Sequence, residues 1–212
     1  MKILCISDQI DPVVYTGAIK ARFHDIDLIL SAGDLPMDYL DFIVSSLNKP
    51  LLFVLGNHDG NPFRKKSPFQ GAGGAYTGGA VHIGSRTRVE EGLIFAGLGG
   101  SRWYNNGGNQ YTQFEMRLAI LKILPSLLLN RLLRGRFLDV LLTHAPPLGV
   151  HDRPDRCHQG FKPFLWFMRL FKPKYLVHGH THLYDLSEPR VSPYHATSVI
   201  NAYGHYVIDT RA

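Results

Sequence analysis

Short apolar runs, each closed by a polar residue, recur along this 212-residue chain. Lys2 to Ser7 reads as a buried strand, and so do Asp27 to Ala32 (DLILSA) and Leu51 to Leu55 (LLFVL). Continuous apolar runs of this length suit strands covered on both faces. Between them the spacing predicts a helix over Pro12 to His24, whose proline stands in an acceptable first-turn position, and another over Pro36 to Leu47, with Asp34 just before it. Strand, helix, strand, helix, strand thus fill the first 55 residues. Parallel strands need crossover connections, so this order predicts an α/β fold with parallel pairing.

The pattern changes after that. Gly71 to Gly79 (GAGGAYTGG) reads as a loop. Ala80 to Ile83, Thr87 to Glu91 and Leu93 to Ala96 are short strand candidates in hairpin order. Thr112 to Arg134 has helical spacing, and Pro125 is expected to kink or divide it. Leu138 to Leu142 is a strand, Phe161 to Phe171 a helix and Tyr175 to His178 a strand. From about His195 to Asp209 the chain reads as a hairpin turning at Tyr203-Gly204. There is no internal repeat and no linker-like stretch, so one domain over residues 1–212 is expected.

Composition adds little at first. Hydrophobic residues make up 45% and charged residues 19%, an ordinary globular balance. No stretch reaches the roughly 18 apolar residues that span a bilayer. Met1-Lys2 leads straight into Ile3–Ile6, too short a run for the apolar region of a signal peptide. Two cysteines, Cys5 and Cys157, make no disulfide framework, and a reducing cytoplasm is the expected compartment. A net charge of +6 attracts anions such as phosphates or acidic lipid headgroups, though it also serves solubility alone. The informative excess is histidine: there are 11, several of them beside Asp, Asn and Gly.

Those clusters fall at strand ends. The predicted strands close on Ser7-Asp8, Gly33-Asp34, Gly56-Asn57-His58-Asp59, Thr143-His144 and Gly179-His180-Thr181-His182. Ligands of open α/β sheets bind in the crevice outside the carboxyl ends of the strands. Carboxylates, an amide oxygen and imidazoles, with no thiolate, suit divalent manganese, iron or zinc. A lone Gly-Asp is usually a helix cap. Five such endings in one chain exceed what capping and packing ask for.

Gly33-Asp34, Gly56-Asn57-His58-Asp59, Thr143-His144 and Gly179-His180-Thr181-His182 together resemble the signature of calcineurin-like metallophosphoesterases, from Asp8 to His182. The resemblance implies a four-layer sandwich, two mixed β-sheets face to face with helices outside. It implies a phosphodiesterase or phosphatase working with two divalent ions and a bridging hydroxide. Asp34 would bridge the ions, Asn57, His144 and His180 would complete one, and Asp8 and His182 would help hold the other. His58 would act at the leaving group, oriented by Asp38 or Asp59. Manganese or iron is the expected metal, with zinc an alternative.

One motif departs from the family. Its first motif is usually Asp-x-His, and here it is Asp8-Gln9-Ile10. Asp11 could supply the missing ligand, water could fill the gap, or the ion could be lost and the chain serve as a non-catalytic binding module. Asp11 also precedes Pro12 and could simply cap the next helix. Arg102 and Tyr104, after a Gly-Gly pair, and His151, in the segment leaving His144, are placed on the substrate side. Asp152, Asp155 and His158 either join His151 there or pin the loop. The expected substrate is a small phosphoester. Leu118 to Leu133 and Phe161 to Tyr175, apolar and basic, raise a membrane surface and a lipid-linked pyrophosphate as an alternative to sheet-covering helices. The basic residues are scattered, so no nucleic-acid partner is expected.

Overall fold

The computed structural model describes residues 1–59, 76–77, 79–185 and 187–211. In chain order its elements are β1 (Lys2–Ser7), α1 (Ile19–Arg22), β2 (Leu28–Ser31), α2 (Met37–Leu47), β3 (Leu51–Phe53), β4 (Tyr76–Thr77), β5 (Ala80–His82), β6 (Arg86–Glu90), β7 (Leu93–Leu98), β8 (Ser101–Arg102), β9 (Gln110–Tyr111), α3 (Gln113–Arg134), β10 (Val140–Thr143), α4 (Lys162–Phe171), β11 (Tyr175–His178), β12 (Val191–Tyr194), β13 (Thr197–Asn201) and β14 (Gly204–Asp209). One sheet runs β14-β1-β2-β3-β5-β4 and the other β12-β13-β11-β10-β7-β6, with β8-β9 as a small separate pair. In the first sheet β1, β2, β3 and β5 are parallel and β14 and β4 antiparallel. In the second, β7, β10, β11 and β13 are parallel and both edge strands antiparallel.

Successive side chains of a strand point to opposite faces, and here both faces are apolar. Ile3 and Cys5 of β1, Leu28 and Leu30 of β2, Val140 and Leu142 of β10 and Val177 of β11 pack together between the sheets. Leu4, Ile6 and Ile29 instead meet Ile19 of α1 and Tyr39, Leu40 and Ile43 of α2. Leu141 and Leu176 meet Met116, Ile120 and Ile123 of α3 and Phe164, Phe167 and Met168 of α4. The result is helix, sheet, sheet, helix: the expected four-layer sandwich of two mixed sheets. The continuous apolar runs of the central strands are what three stacked cores demand.

Several elements differ from the sequence expectation. The helix over Pro12 to His24 shrinks to Ile19–Arg22, because the chain after Asp11 turns on itself: the Asp11 carboxylate accepts the Val13 amide at 2.8 Å, and the Asp11 carbonyl accepts from Val14 and Tyr15. Pro125 does not divide α3, which runs unbroken from Gln113 to Arg134. It sits on the exposed side, where the carbonyl it leaves unpaired meets solvent. The three strands in hairpin order are split: β6 and β7 form a hairpin, while β5 joins β3 in the other sheet. The terminal hairpin also falls elsewhere. β13 turns back on β12 around His195, and after Asn201 the chain crosses to the other sheet, where β14 lies beside β1. The loop expected over Gly71 to Gly79 lies largely outside the described residues.

Candidate metal centre

β1, β2 and β3 of one sheet and β10 and β11 of the other end at the same place, and the residues at those ends meet there. Three depart from ordinary backbone: Asp8, Asp34 and His180 all have positive φ, at 62°, 56° and 63°. The left-handed region is costly for residues with a Cβ and tends to persist where function fixes it. Gly33 precedes Asp34 at φ 99°, and a Cβ there would strike the Gly56 backbone and the His144 ring. A Cβ on Gly179 would strike Ser7 and the Asp8 carboxylate. Both glycines let two strand ends close on one another.

Ligand atoms then converge. His144 Nε2 lies 3.0 Å from Asn57 Oδ1 and 3.3 Å from Asp34 Oδ2. Donors at about 2.1 Å from a common ion lie about 3.0–3.4 Å from each other, so this spacing fits a coordination edge. Asp34, His144 and His180 each offer an atom within 4.8 Å of the others. The tautomers agree with that use. His144 donates through Nδ1 to the Ala32 carbonyl at 2.8 Å, which leaves Nε2 facing Asp34. His180 donates through Nε2 to the Cys157 carbonyl at 2.7 Å, which leaves Nδ1. Beside them, Asp8 Oδ2 accepts the His180 amide at 2.8 Å and the Ser7 hydroxyl, and Oδ1 faces His182 Nε2 at 3.9 Å. His182 is held by Tyr184, whose hydroxyl is 2.6 Å from Nδ1, and stacks on Tyr203 at 4.9 Å.

The electrostatics are those of a site built for cations. Burial pushes the Asp8 carboxyl up, against the pull of His144. Asp34 is also buried, yet its contact with His144 prevails and holds it below the usual carboxylate range. Burial would lower His144, but Asp34 and Asp8 overcome this and raise it to about 9. Burial and the neighbouring His144 pull His180 down to about 3, leaving it a neutral ligand. An ion held here by His144 and Asp34 would neutralise the carboxylates in place of the proton that these two residues share. The donor set therefore fits divalent metal.

Beside these groups is a cavity of about 210 Å³ bounded by Asp8, Asp34, His58, Cys157, His158, His180 and His182. His58 is exposed at the rim, its amide bound to Asp34 Oδ1 at 2.8 Å. Of the two carboxylates expected to orient it, Asp59 is engaged with backbone, its Oδ2 accepting the amides of Asp34 and Gly56. Asp38 lies in the first turn of α2. Asp11, considered as a replacement ligand, turns elsewhere: its Oδ2 meets His205 Nδ1 at 2.6 Å. Tyr104 meets the site through Asn57, whose Nδ2 donates to its hydroxyl at 3.1 Å, and through the side chain of Cys157. Arg102 is bonded to Gln159. His151 is not in the cavity. Its left-handed backbone directs the ring to His178 at 2.9 Å and Ser192 at 2.8 Å, along a separate cleft with Arg153 and Thr181. His158 and Cys157 line the metal cavity instead; the only sequence signal for them was their membership of the segment that leaves His144.

A four-layer sandwich that gathers carboxylate, amide and imidazole donors at the strand ends of both sheets defines a metal-binding α/β protein. The sequence profile described as calcineurin-like phosphoesterase matches residues 1–184, and the chain belongs to that family, whose general chemistry is metal-dependent hydrolysis of phosphoesters. One solved crystal structure superposes with a TM-score of 0.67 at 13% identity, over 99% of this chain and 95% of its own. The structure of TT1561 of Thermus thermophilus superposes with a TM-score of 0.60 at 14% identity, over 95% of this chain and 88% of its own. Likeness at this identity concerns the fold. No curated protein matches the sequence.

Proposed function

We propose that this chain hydrolyses a small phosphoester at a pair of divalent ions, manganese or iron before zinc. Asn57, His144 and His180 would hold one ion, Asp8 and His182 the other, and Asp34 both. The observation that carries this reading is the meeting of Asp34, Asn57 and His144 at ligand-to-ligand spacing, from three strand ends in two sheets. Bound ions supply Lewis-acid polarisation of the phosphoryl oxygens and acidify water. The chain's own groups do the rest. Asp8 and Asp34 are fixed by backbone amides, so they need no reorganisation when charge develops. His58, at the rim, donates a proton to the oxygen that leaves as its bond to phosphorus breaks. A cavity of about 210 Å³ has room for a phosphoryl group beside these residues. Tyr104 orients Asn57, and Arg102 steadies the segment through Gln159.

The test is hydrolysis of bis-p-nitrophenyl phosphate and p-nitrophenyl phosphate by purified protein with Mn²⁺, Fe²⁺ or Zn²⁺, beside Asp34→Asn. The expected result is turnover by the wild type, a fall of at least about 10²-fold in the variant, and an unchanged circular dichroism spectrum. An Asp34→Asn protein as active as wild type overturns the site. Absence of turnover with every metal, together with less than one ion bound per chain, supports the non-catalytic binding module instead.

A further inference from the structure

Ile10 stands where the first motif usually carries an imidazole, and another imidazole reaches the same cavity from elsewhere in the chain. We propose that His158 is the replacement ligand for the ion held by Asp8 and His182; this rests on the metal-centre reading above. His158 lines the cavity with Asp8, Asp34 and His182, its ring centroid 5.2 Å from that of His180 and 6.4 Å from that of His182. Its tautomer is set. Nδ1 lies 2.9 Å from Asp155 Oδ1, so the ring donates there and presents the lone pair of Nε2. A carboxylate behind an imidazole is the usual support of a metal-bound histidine. Asp155 is itself fixed by the amides of Cys157 at 3.1 Å and His158 at 3.0 Å. The segment is anchored as well: Asp152 accepts the amides of Gly149 and Gly160, and the Cys157 carbonyl accepts from His180. Asp11, the other candidate, is committed to His205 and Val13.

The experiment measures Mn²⁺ per chain by elemental analysis, affinity by titration calorimetry, and spin coupling by electron paramagnetic resonance. It compares wild type, His158→Ala, His158→Gln, and His158→Ala with Ile10→His added. Wild type is expected to bind two ions with a coupled signal. Either single variant keeps one ion and binds the other at least ~10-fold more weakly, with loss of coupling, and Asp155→Asn weakens the same ion by ~10–100-fold. Adding Ile10→His restores the second ion. A His158 variant that binds both ions with wild-type affinity and coupling overturns the ligand assignment and leaves the metal centre intact. A wild type that binds no ions overturns the metal-centre reading itself.

A separate observation concerns α3. Met116, Ile120, Ile123 and Leu127 face the core. The side turned away from them, at 100° per residue, carries Phe114, Leu118, Leu121, Leu128 and Leu132, exposed by 41–80%. A surface helix ordinarily places charge there. The flanks hold Arg117 and Lys122, the last turn adds Arg131 and Arg134, and the helix's only acid, Glu115, is consumed in its own N-terminal capping box. A second copy seated on this face would bring these cations against their own kind. An anionic bilayer offers the complementary charge, and among the described residues no helix is long and apolar enough to cross a membrane. The geometry points to α3 as a surface that lies on anionic lipid, apolar side chains inward and basic flanks at the headgroups.

Sedimentation with phosphatidylcholine vesicles, with and without phosphatidylglycerol, tests this beside a Leu128→Glu, Leu132→Glu double variant. Both substitutions fall at exposed positions, and an unchanged thermal transition verifies the fold. Binding is expected only with the anionic lipid, weakened by salt, and at least ~10-fold weaker in the variant. No binding to anionic vesicles, or equal binding by the variant, overturns the proposal. So does a wild-type dimer in analytical ultracentrifugation that the double variant dissociates.

Discussion

Asp59 never touches the cavity, yet one of its oxygens holds the amides of Asp34 at 2.9 Å and Gly56 at 2.7 Å. It ties the end of β2 to the end of β3 and keeps Asp34 in its left-handed conformation. Removing the carboxylate leaves both amides without their acceptor and frees Asp34 to relax. Asp59→Ala should therefore weaken Mn²⁺ binding by about 10–100-fold, the range for loss of a ligand's support. Asp59→Asn, which keeps an acceptor oxygen, should lose less. Calorimetric titration checks both, and wild-type affinity in Asp59→Ala would refute the role. This residue also shows the limit of reading the site in sequence. Strand-end carboxylates and imidazoles are visible because few other jobs need them there. A carboxylate next to His58 reads equally well as its partner, and only the close approach of β2 and β3 assigns Asp59 to the backbone. His151 and His158 share one segment, and the choice between them turns on a backbone reversal. His151 at φ 62° swings away, and Asp155 holds His158 beside the metal ligands.

Among the elements, α3 depends on its ends. Thr112 accepts the Glu115 amide, and the Glu115 side chain accepts the Thr112 amide at 2.7 Å. Gly135 closes the far end in the left-handed region. Because the outer face of α3 gains nothing from burial, the cap should count in full. Thr112→Ala is expected to lower unfolding free energy by ~1 kcal/mol, read as a lower urea midpoint with an unchanged slope. A midpoint equal to wild type would show that core contacts alone hold the helix. Elements such as α2, β10 and β11 were legible because their apolar runs are long or uninterrupted. The pairings that failed were those decided by distant strands. β14 alternates like a hairpin arm, but its partner is β1, at the other end of the chain. β12 contains Pro193, which suits an edge strand, yet local pattern does not say whose edge.

At the scale of the whole molecule, the two sheets share one apolar layer, and the chain passes from the first to the second just after β5. His82 ends β5, with its ring 5.2 Å from Phe53. Burial, helped by the charge of Arg86, pulls its pKa from 6.5 to about 4. The unfolded chain therefore takes up a proton between those values that the folded chain refuses. Stability from this group is fully present above pH 6.5 and is lost as pH falls toward about 4. The ring is partly open to solvent, so the loss is on the order of 1 kcal/mol rather than the full value of the shift. Acidic groups add their own slope, and His82→Gln separates the two contributions. Urea midpoints of wild type and variant should converge as pH drops through this window, with the wild type losing more. The effect reaches the global midpoint only if both sheets unfold together. If the midpoints of the two proteins run parallel across the window, either the His82 shift or the joint unfolding of the sandwich is refuted. Hydrogen exchange at β5 and β10 then identifies which: equal protection in both strands retains joint unfolding, and lower protection in β5 removes it.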